Sequence, residues 1–435
     1  LKTELHGVVG WEDHNFLGNL RDLEVTFKPG VVLYPTRLAS GELVAPTQLL
    51  PEEKLAISFK QPSFIEARTE GFIKPEFNIY PILVPHYNVN PPDPITDPIL
   101  GYLEPKASVG VDRLIFRRLF VKLSYTAQVE SPFSYIGSSG VQLSTISLSY
   151  PELQATLNVI DNKLHPHVGF SIGNIVQYAG GIFGGTAHDI KVQPEGRVYI
   201  PLGKRITWAT RATVGFILPQ NWGDYIRNDL GDAPKFDANN KIIPENHDSV
   251  FEVRDLEIAL FRGLYSGGPS SNRGYPVRSI GPYSFVPFLN PASVGNQFKK
   301  GAACVSAVTN AQNGSATSGP PNTCDSPVGG MSLWEASTEL RIDIAGPLSI
   351  ATFVDASDVS PEVLDIRLNY PHMSVGGGAR YDTPVGPIRL DIGYRLDGPF
   401  DHPKDSVLDP DVRSDSYGTI LKQPIAISAG IGEAF

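Results

Sequence analysis

The chain has 435 residues, 42 of them Gly and 38 Pro, with 41% apolar and 10% aromatic residues and a formal net charge of −10. So many turn formers argue against a helical bundle, no run approaches the ~20 apolar residues of a membrane helix, and the acidic balance argues against nucleic acid, which demands clustered Lys and Arg. Two or three acidic soluble domains remain, or one large barrel, because a sheet crosses lipid only when its backbone groups are all paired.

From Leu1 onward, apolar and polar residues alternate near 4–15, 22–33, 54–62, 70–83, 101–116, 119–130, 141–158, 165–178, 190–202 and 205–217. Alternation with period two predicts strands with one apolar face. The connections alternate in length: 33–53, 84–100 and 131–140 are long, whereas Pro201–Arg205 is short. Long loops outside and short turns inside are the outer-membrane pattern. His165-Pro-His167 sets two imidazoles on one face, but no further ligand is near in sequence, so a turn is expected there and no metal. Gly180-Gly-Ile-Phe-Gly-Gly185 lacks the Lys-Ser/Thr of a phosphate loop and reads as a hairpin.

Residues 218–330 are too long for an ordinary connection, and such loops are usually functional or disordered. Within them Val250–Phe261 fits a short helix or an edge strand equally well. Cys304 and Cys324 flank a Gly/Ser/Asn/Pro-rich stretch. One disulfide there would contribute roughly 3 kcal/mol by restricting the unfolded loop, and it implies an oxidising compartment. Two unpaired buried thiols are the alternative.

The C-terminal strands are the clearest. Ile388, Leu390, Ile392, Tyr394 and Leu396 share one face, and Arg389, Asp391, Gly393 and Arg395 the other. Trp334, Leu340 and Ile342 oppose Glu335, Glu339 and Arg341, and Leu348, Ile350 and Val354 oppose Ser349, Phe353 and Asp355. A glycine-rich strand covers 373–381, and a last one runs from Ile425 to the terminal Phe435, with only Ala426, Ser428, Gly430, Gly432 and Ala434 on its second face. Short turns Asp343–Pro347 and Thr383–Pro387 and long loops 356–372 and 397–424 continue the alternation. That makes fifteen strands, with Phe435 on the periplasmic side. A single-chain barrel normally has an even count, so one further strand is expected before Leu1, giving sixteen.

One constellation stands apart. Tyr265-Ser-Gly-Gly-Pro-Ser-Ser-Asn-Arg-Gly-Tyr275 pairs Gly267-Gly268 with Asn272-Arg273-Gly274-Tyr275, upstream of Gly329-Gly330, Glu339, Phe353-Val-Asp355-Ala-Ser357 and the aromatic terminus Phe435. Glycine permits positive φ and close approach. An Arg fork can bond two carboxylates at once, and in a lumen shielded from water such a pair gains more than on a surface. On its own, Arg-Gly-Tyr would read as a solvated turn. With its neighbours it resembles the BamA/TamA superfamily of outer-membrane β-barrel assembly proteins. Asn272 replaces the family's apolar residue before the Arg, and Ser357 its Gly in the Phe-x-Asp-x-Gly strand. The likeness is good over 205–435 and rests on strand rhythm alone before that.

The resemblance implies an all-β fold, a sixteen-stranded antiparallel transmembrane barrel over residues 1–435, with 218–330 as a long sixth loop folded into the lumen. It implies that Arg273 meets Glu339 and Asp355 on the inner wall. Any POTRA domains would lie upstream of Leu1; a protein without them is the alternative. It further implies a Gram-negative outer membrane, unfolded outer-membrane protein clients and periplasmic or lipoprotein partners, with no cofactor, metal or catalytic residue. Clients would enter at a seam between first and last strands, where Gly430 and Gly432 let the last strand bend. A two-partner secretion translocator and a passive porin are the rival readings. Ser266 lacks a Gly-x-Ser-x-Gly elbow, which counts against nucleophilic catalysis. In the native protein without reductant, Cys304 and Cys324 should both resist thiol labelling; quantitative labelling of the pair would rule the disulfide out.

Overall fold

The computed structural model describes residues 3–34, 37–39, 42–44, 48–82, 99–137, 143–224, 226, 249–285, 325–369, 371–383, 387–396 and 424–431. Cys304, Cys324, Gly432 and Phe435 lie outside the described residues. The strands are β1 (Thr3–His6), β2 (Val9–Asp13), β3 (Asp22–Tyr34), β4 (Arg37–Ala39), β5 (Glu42–Val44), β6 (Gln48–Gln61), β7 (Thr69–Pro81), β8 (Ile99–Ile115), β9 (Leu119–Ile136) and β10 (Ile146–Ile160). There follow β11 (Gly169–Ala179), β12 (Asp189–Pro201), β13 (Ile206–Pro219), helix α1 (Ser249–Arg262), β14 (Tyr283–Phe285) and β15 (Asp325–Pro327). The last five are β16 (Ser332–Ala345), β17 (Leu348–Ser360), β18 (His372–Tyr381), β19 (Ile388–Arg395) and β20 (Ile425–Ile431).

Sixteen strands form one antiparallel sheet, in the order β1, β3, β6 to β13, then β16 to β20, with β2 also on β3. β1 pairs with Gly30–Leu33 and β2 with Leu23–Phe27, so these two follow one another along the same edge and share one position. β4 with β5, and β14 with β15, are two-stranded extensions inside long loops. Each predicted strand has a counterpart, but several ends move. β6 begins at Gln48 rather than near 54, and β9 runs on to Ile136. Both extensions lie towards the long-loop side, where the ladder continues through pairs such as Leu33↔Leu49 and Gly101↔Phe133.

Exposure is inverted relative to a soluble protein. Along β19 the pattern alternates strictly: Ile388, Leu390, Ile392 and Tyr394 are exposed, while Arg389, Asp391, Gly393 and Arg395 are buried. β17 does the same from Leu348 to Asp355, with Leu348, Ile350 and Val354 outside and Phe353 and Asp355 inside. An apolar outside with a charged inside is the signature of a sheet whose solvent is lipid. No helix among the described residues is long and apolar enough to cross a membrane.

The core lies inside the sheet. Ile258, Ala259, Leu264, Tyr275 and Ile280 of the long loop pack against Ile146, Leu148, Tyr150, Ile217 and Leu333 of the wall. The Val250–Phe261 segment, open between helix and strand in the sequence, is helical. Its periodicity does not show one wet face, because it is surrounded: Val253, Leu256, Ile258 and Ala259 are buried, and so are Asp255, Glu257 and Arg262. The charged side chains find partners on the wall. Arg262 forks onto Asp189, with Nε donating at 3.1 Å, and Nη1 donates to Gln177 at 2.8 Å. Asp255 accepts from the Gly223 N–H at 2.8 Å.

Glu257 is less well compensated. It accepts from the Ser144 N–H at 3.1 Å and from the Tyr102 hydroxyl at 3.5 Å. Burial pushes its carboxyl up to about 7 from an ordinary 4.5. A raised carboxyl means that the seated helix holds the proton more tightly than the unfolded chain does. Stability is therefore lost as pH rises from about 4.5 to about 7, by about 3 kcal/mol in all. Thermal unfolding should give a lower midpoint at pH 8 than at pH 5, and Glu257→Gln should flatten that difference. A wild-type midpoint independent of pH over this range would overturn the assignment.

Candidate functional site

The site is where the tip of the long loop meets the inner faces of β16 to β19. Antiparallel register builds the receiving surface. One row across the wall is Ser337, Asp355, Ser374 and Arg395; the next is Glu339, Phe353, Gly376 and Gly393. All belong to the inward set of their strands, so a small, an acidic, an aromatic and a basic side chain are brought side by side from four separate segments.

The loop descends from α1 and is held by short bridges, Leu264 to Gly330 and Ser266 to Ile280. Gly267 and Gly268 have φ of 96° and 112°, which turn the chain where a side chain would be strained. The Gly268 N–H then donates to Asn272 and Tyr275 carbonyls at 3.1 Å each, closing a tight tip. Glu335 braces its approach, accepting from Ser266 Oγ at 2.7 Å, from Ser271 and from Arg211 Nη2 at 2.5 Å. Arg211 Nη1 also donates to the Ser270 carbonyl at 2.6 Å, and Arg389 Nη1 to the Pro269 carbonyl at 2.7 Å.

Arg273 is 2% exposed and makes the densest set of contacts. Its Nε and Nη2 donate to the two oxygens of Asp355, each at 2.8 Å, a bidentate fork. Nη1 donates to Glu339 at 2.5 Å and Nη2 also to Ser337 Oγ at 3.2 Å. The Arg273 backbone N–H gives a further bond to Asp355 at 3.0 Å. The guanidinium lies 3.5 Å from the centroid of the Phe353 ring. Burial by itself lowers the pKa of such a group; the Asp355 bonds and charge, then Glu339, reverse this and hold it above its ordinary value. Glu339 is shared, accepting from Arg341 Nε at 2.9 Å and facing Arg380 Nη2 at 3.5 Å.

The neighbours complete the seat. Asn272 donates to the His372 carbonyl at 2.7 Å and to Ser357 Oγ at 3.1 Å, and accepts from Ser374 Oγ at 2.7 Å. Asn272 is thus a polar residue in a buried seat, and the wall answers it with hydroxyls. The Gly274 N–H donates to Ser374 Oγ at 3.1 Å. The backbones here are in near contact: a Cβ on Gly274 would lie 2.3 Å from that of Ser374, and one on Gly393 would lie 2.6 Å from the Arg273 carbonyl oxygen. Tyr275 meets His372 edge-on at 5.8 Å, with the Arg395 guanidinium 5.6 Å from its ring.

Ser374, Gly393, Ser337, Glu335 and Arg211 were not singled out from the sequence. Alternation does place Gly393 and Ser337 on inward faces, but only register shows that they lie under the tip. At the other end of the wall, Gly430 sits opposite Arg389, whose Nε would be 3.2 Å from a Cβ there.

A wall of this kind, with its loop seated on it, is comparable with known families. The model of the Omp85 superfamily domain matches residues 119–433. The chain belongs to the Omp85 superfamily. The match reaches well upstream of 205, where the sequence showed only strand rhythm. No curated relative matches the sequence. Among solved structures, BamA from Haemophilus ducreyi lacking POTRA domains 1–3 is similar, with a TM-score of 0.53, 13% identity, and coverage of 94% of this chain and 69% of that one. CdiB from Acinetobacter baumannii has a TM-score of 0.47 and 11% identity over 94% of this chain and 55% of that one. CdiB from Escherichia coli has 0.49 and 11% over 98% and 58%. At such identities the likeness is one of fold, and the chain spans little more than half the length of either CdiB. The Omp85 barrel is an outer-membrane β-barrel of a Gram-negative bacterium, which accounts for its inverted exposure.

Removing one member of a buried ion pair strands the other, at a cost of about 3–5 kcal/mol. Arg273→Ala should therefore release the tip, read as faster proteolysis within 263–282 and a lower unfolding midpoint. Gly393→Val should do the same without touching any charge, by filling the space the Arg273 backbone occupies. A tip that stays protease-resistant in both variants would show that this seat does not hold it.

Proposed function

We propose that this Omp85 barrel is an outer-membrane protein assembly factor, inserting β-barrel clients through a lateral seam between its first and last strands. The observation that carries the reading is the contrast between the two halves of the wall on either side of β19. Towards β16 the wall is fastened to the loop tip by Arg273, Asn272 and Gly274. Towards the seam, the described part of β20 pairs with β19 from Ile425 to Ile431, and its less exposed face carries Ala426, Ser428 and Gly430. Small side chains pack weakly, so this strand separates at lower cost than its neighbours. Once β20 parts from the first strand, its edge would present N–H and C=O groups that an incoming strand can pair with.

The role of the loop in this reading is to keep β16 to β19 in shape while the edge opens. Arg273 joins two adjacent strands through Asp355 and Glu339, and Asn272 and Gly274 add β18. No nucleotide or cofactor enters the scheme; the free energy comes from pairing and burying the client's own strands. The clients are unfolded outer-membrane proteins, and POTRA domains or lipoprotein partners would deliver them. A passive porin needs an open lumen, whereas here residues 253–282 of the loop are seated against β8, β10 to β13 and β16 to β19.

The test is a reversible tether. In a Cys304→Ser/Cys324→Ser background, one cysteine in Thr3–His6 and another at Ser428 or Gly430 should cross-link on oxidation. Client insertion into liposomes should stop, with the barrel still folded, and return on reduction. Insertion at the normal rate by the cross-linked protein would rule out lateral opening. Steady ion conductance without insertion would favour a channel, and export of a soluble client without insertion would favour a secretion translocator.

A further inference from the structure

The turn between β10 and β11 does not hang free at the short-turn end of the barrel. Its His165 Nδ1 lies 3.1 Å from both oxygens of Asp382, just past β18. His167 Nε2 lies 3.7 Å from Asp343 near the end of β16, and its Nδ1 lies 3.6 Å from Asp161. β12, β13 and β17 stand between these segments in the sheet, so the turn must fold inward across the mouth to reach them. In the chain the two histidines have no third ligand nearby; the barrel brings one from 176 positions further along, the difference between residues 343 and 167.

We propose that His165, His167 and Asp343 form a binding site for a divalent transition metal of the zinc class, a clip that braces the periplasmic mouth. Two observations support it. One ligand atom from each of the three residues lies within 4.8 Å of the other two. Ligand atoms around a tetrahedral zinc lie about 3.3 Å apart, given arms of about 2.0 Å, so side-chain rotation alone closes the gap. The two rings lie close together and near-parallel, their centroids 4.7 Å apart and their planes within 14°, so one must tilt for both lone pairs to meet a single ion. Each ring also faces a second carboxylate through Nδ1, Asp382 for His165 and Asp161 for His167. A carboxylate on Nδ1–H orients the ring and sets Nε2 towards the ion, the usual arrangement around ligating histidines.

The turn is stiff enough to hold such a geometry. The His167 and Val168 N–H groups donate to Asp161 Oδ1 at 3.0 and 3.1 Å, and the Leu164 N–H donates to Asn162 Oδ1 at 2.8 Å. Pro166 fixes the backbone between the two rings. His165 is buried, while His167 and Asp343 are partly open, so an ion can enter from the periplasmic side and a water can complete four-coordination. The second cluster among the described residues, Glu12, His14 and Asp22, has two exposed members and one histidine. Its single imidazole faces Asp22 at 3.1 Å and Glu12 at 3.5 Å through the same Nδ1, and it serves as the control.

The experiment uses the full chain, folded and without a histidine tag, equilibrated with Zn²⁺ against a weak chelator. About one zinc per chain should be retained. Co²⁺ should give the visible absorption of a four-coordinate site. The double variant His165→Ala/His167→Ala should lose both signals while keeping the heat-modifiable gel mobility of a closed barrel. His167→Gln, which preserves polarity, covers the case in which the double variant fails to fold, and it too should lose the ion. Asp382→Asn should keep the stoichiometry and weaken affinity by about 10–100-fold. If wild type retains no zinc, or if the histidine variants retain as much as wild type, the site is wrong.

Discussion

Everything in this molecule follows from one constraint, that lipid offers no hydrogen bonds. A backbone placed in hydrocarbon must pair every N–H and C=O within itself. Sixteen antiparallel strands meet that demand and set the face of each residue by parity. Ile388, Leu390 and Ile392 face out because the solvent there is apolar; Arg389, Asp391 and Arg395 face in because they cannot face out. The charged interior is thus a consequence of the wall, before any question of function.

That interior sets a second problem. Arg, Asp and Glu turned inward, and then covered by a loop, are removed from bulk water and must satisfy one another. The loop provides the missing partners. Arg262 answers Asp189, Arg273 answers Asp355 and Glu339, and Glu335 takes Ser266, Ser271 and Arg211. A buried pair of this kind adds little net stability over an apolar alternative, yet breaking it is costly. Its worth lies in position: it allows one seating of the tip and penalises others.

The wall is unequal around its circumference. β16 to β18 carry the loop contacts and long ladders, while the described part of β20 has small side chains on its less exposed face. Glycine serves both ends differently. Gly274 and Gly393 allow two backbones to touch, which tightens the seat. Gly430, opposite Arg389, gives β20 no side chain of its own to pack there, which loosens the edge. The same residue type stiffens where it permits contact and weakens where it removes it.

The positions and alternation of the wall strands were legible in the amino-acid sequence, because parity is a local property of the chain; the sixteenth strand, expected before Leu1, instead comes from the split of the first one into β1 and β2. Arg273, Glu339, Phe353 and Asp355 were also legible, through a motif on the loop and another on the wall. Other features were not. Helix or strand at Val250–Phe261 stayed open, since a segment surrounded on all sides shows no apolar stripe. Ser374 and Gly393 under the tip depend on register between β17, β18 and β19, which no single segment encodes. His165 and His167 read as an isolated pair until the sheet curled Asp343 and Asp382 round to meet them. The sequence by itself determined which way each side chain faces, from alternation against lipid; only the tertiary structure decided which inward side chains meet, because that depends on how far round the wall each strand stands.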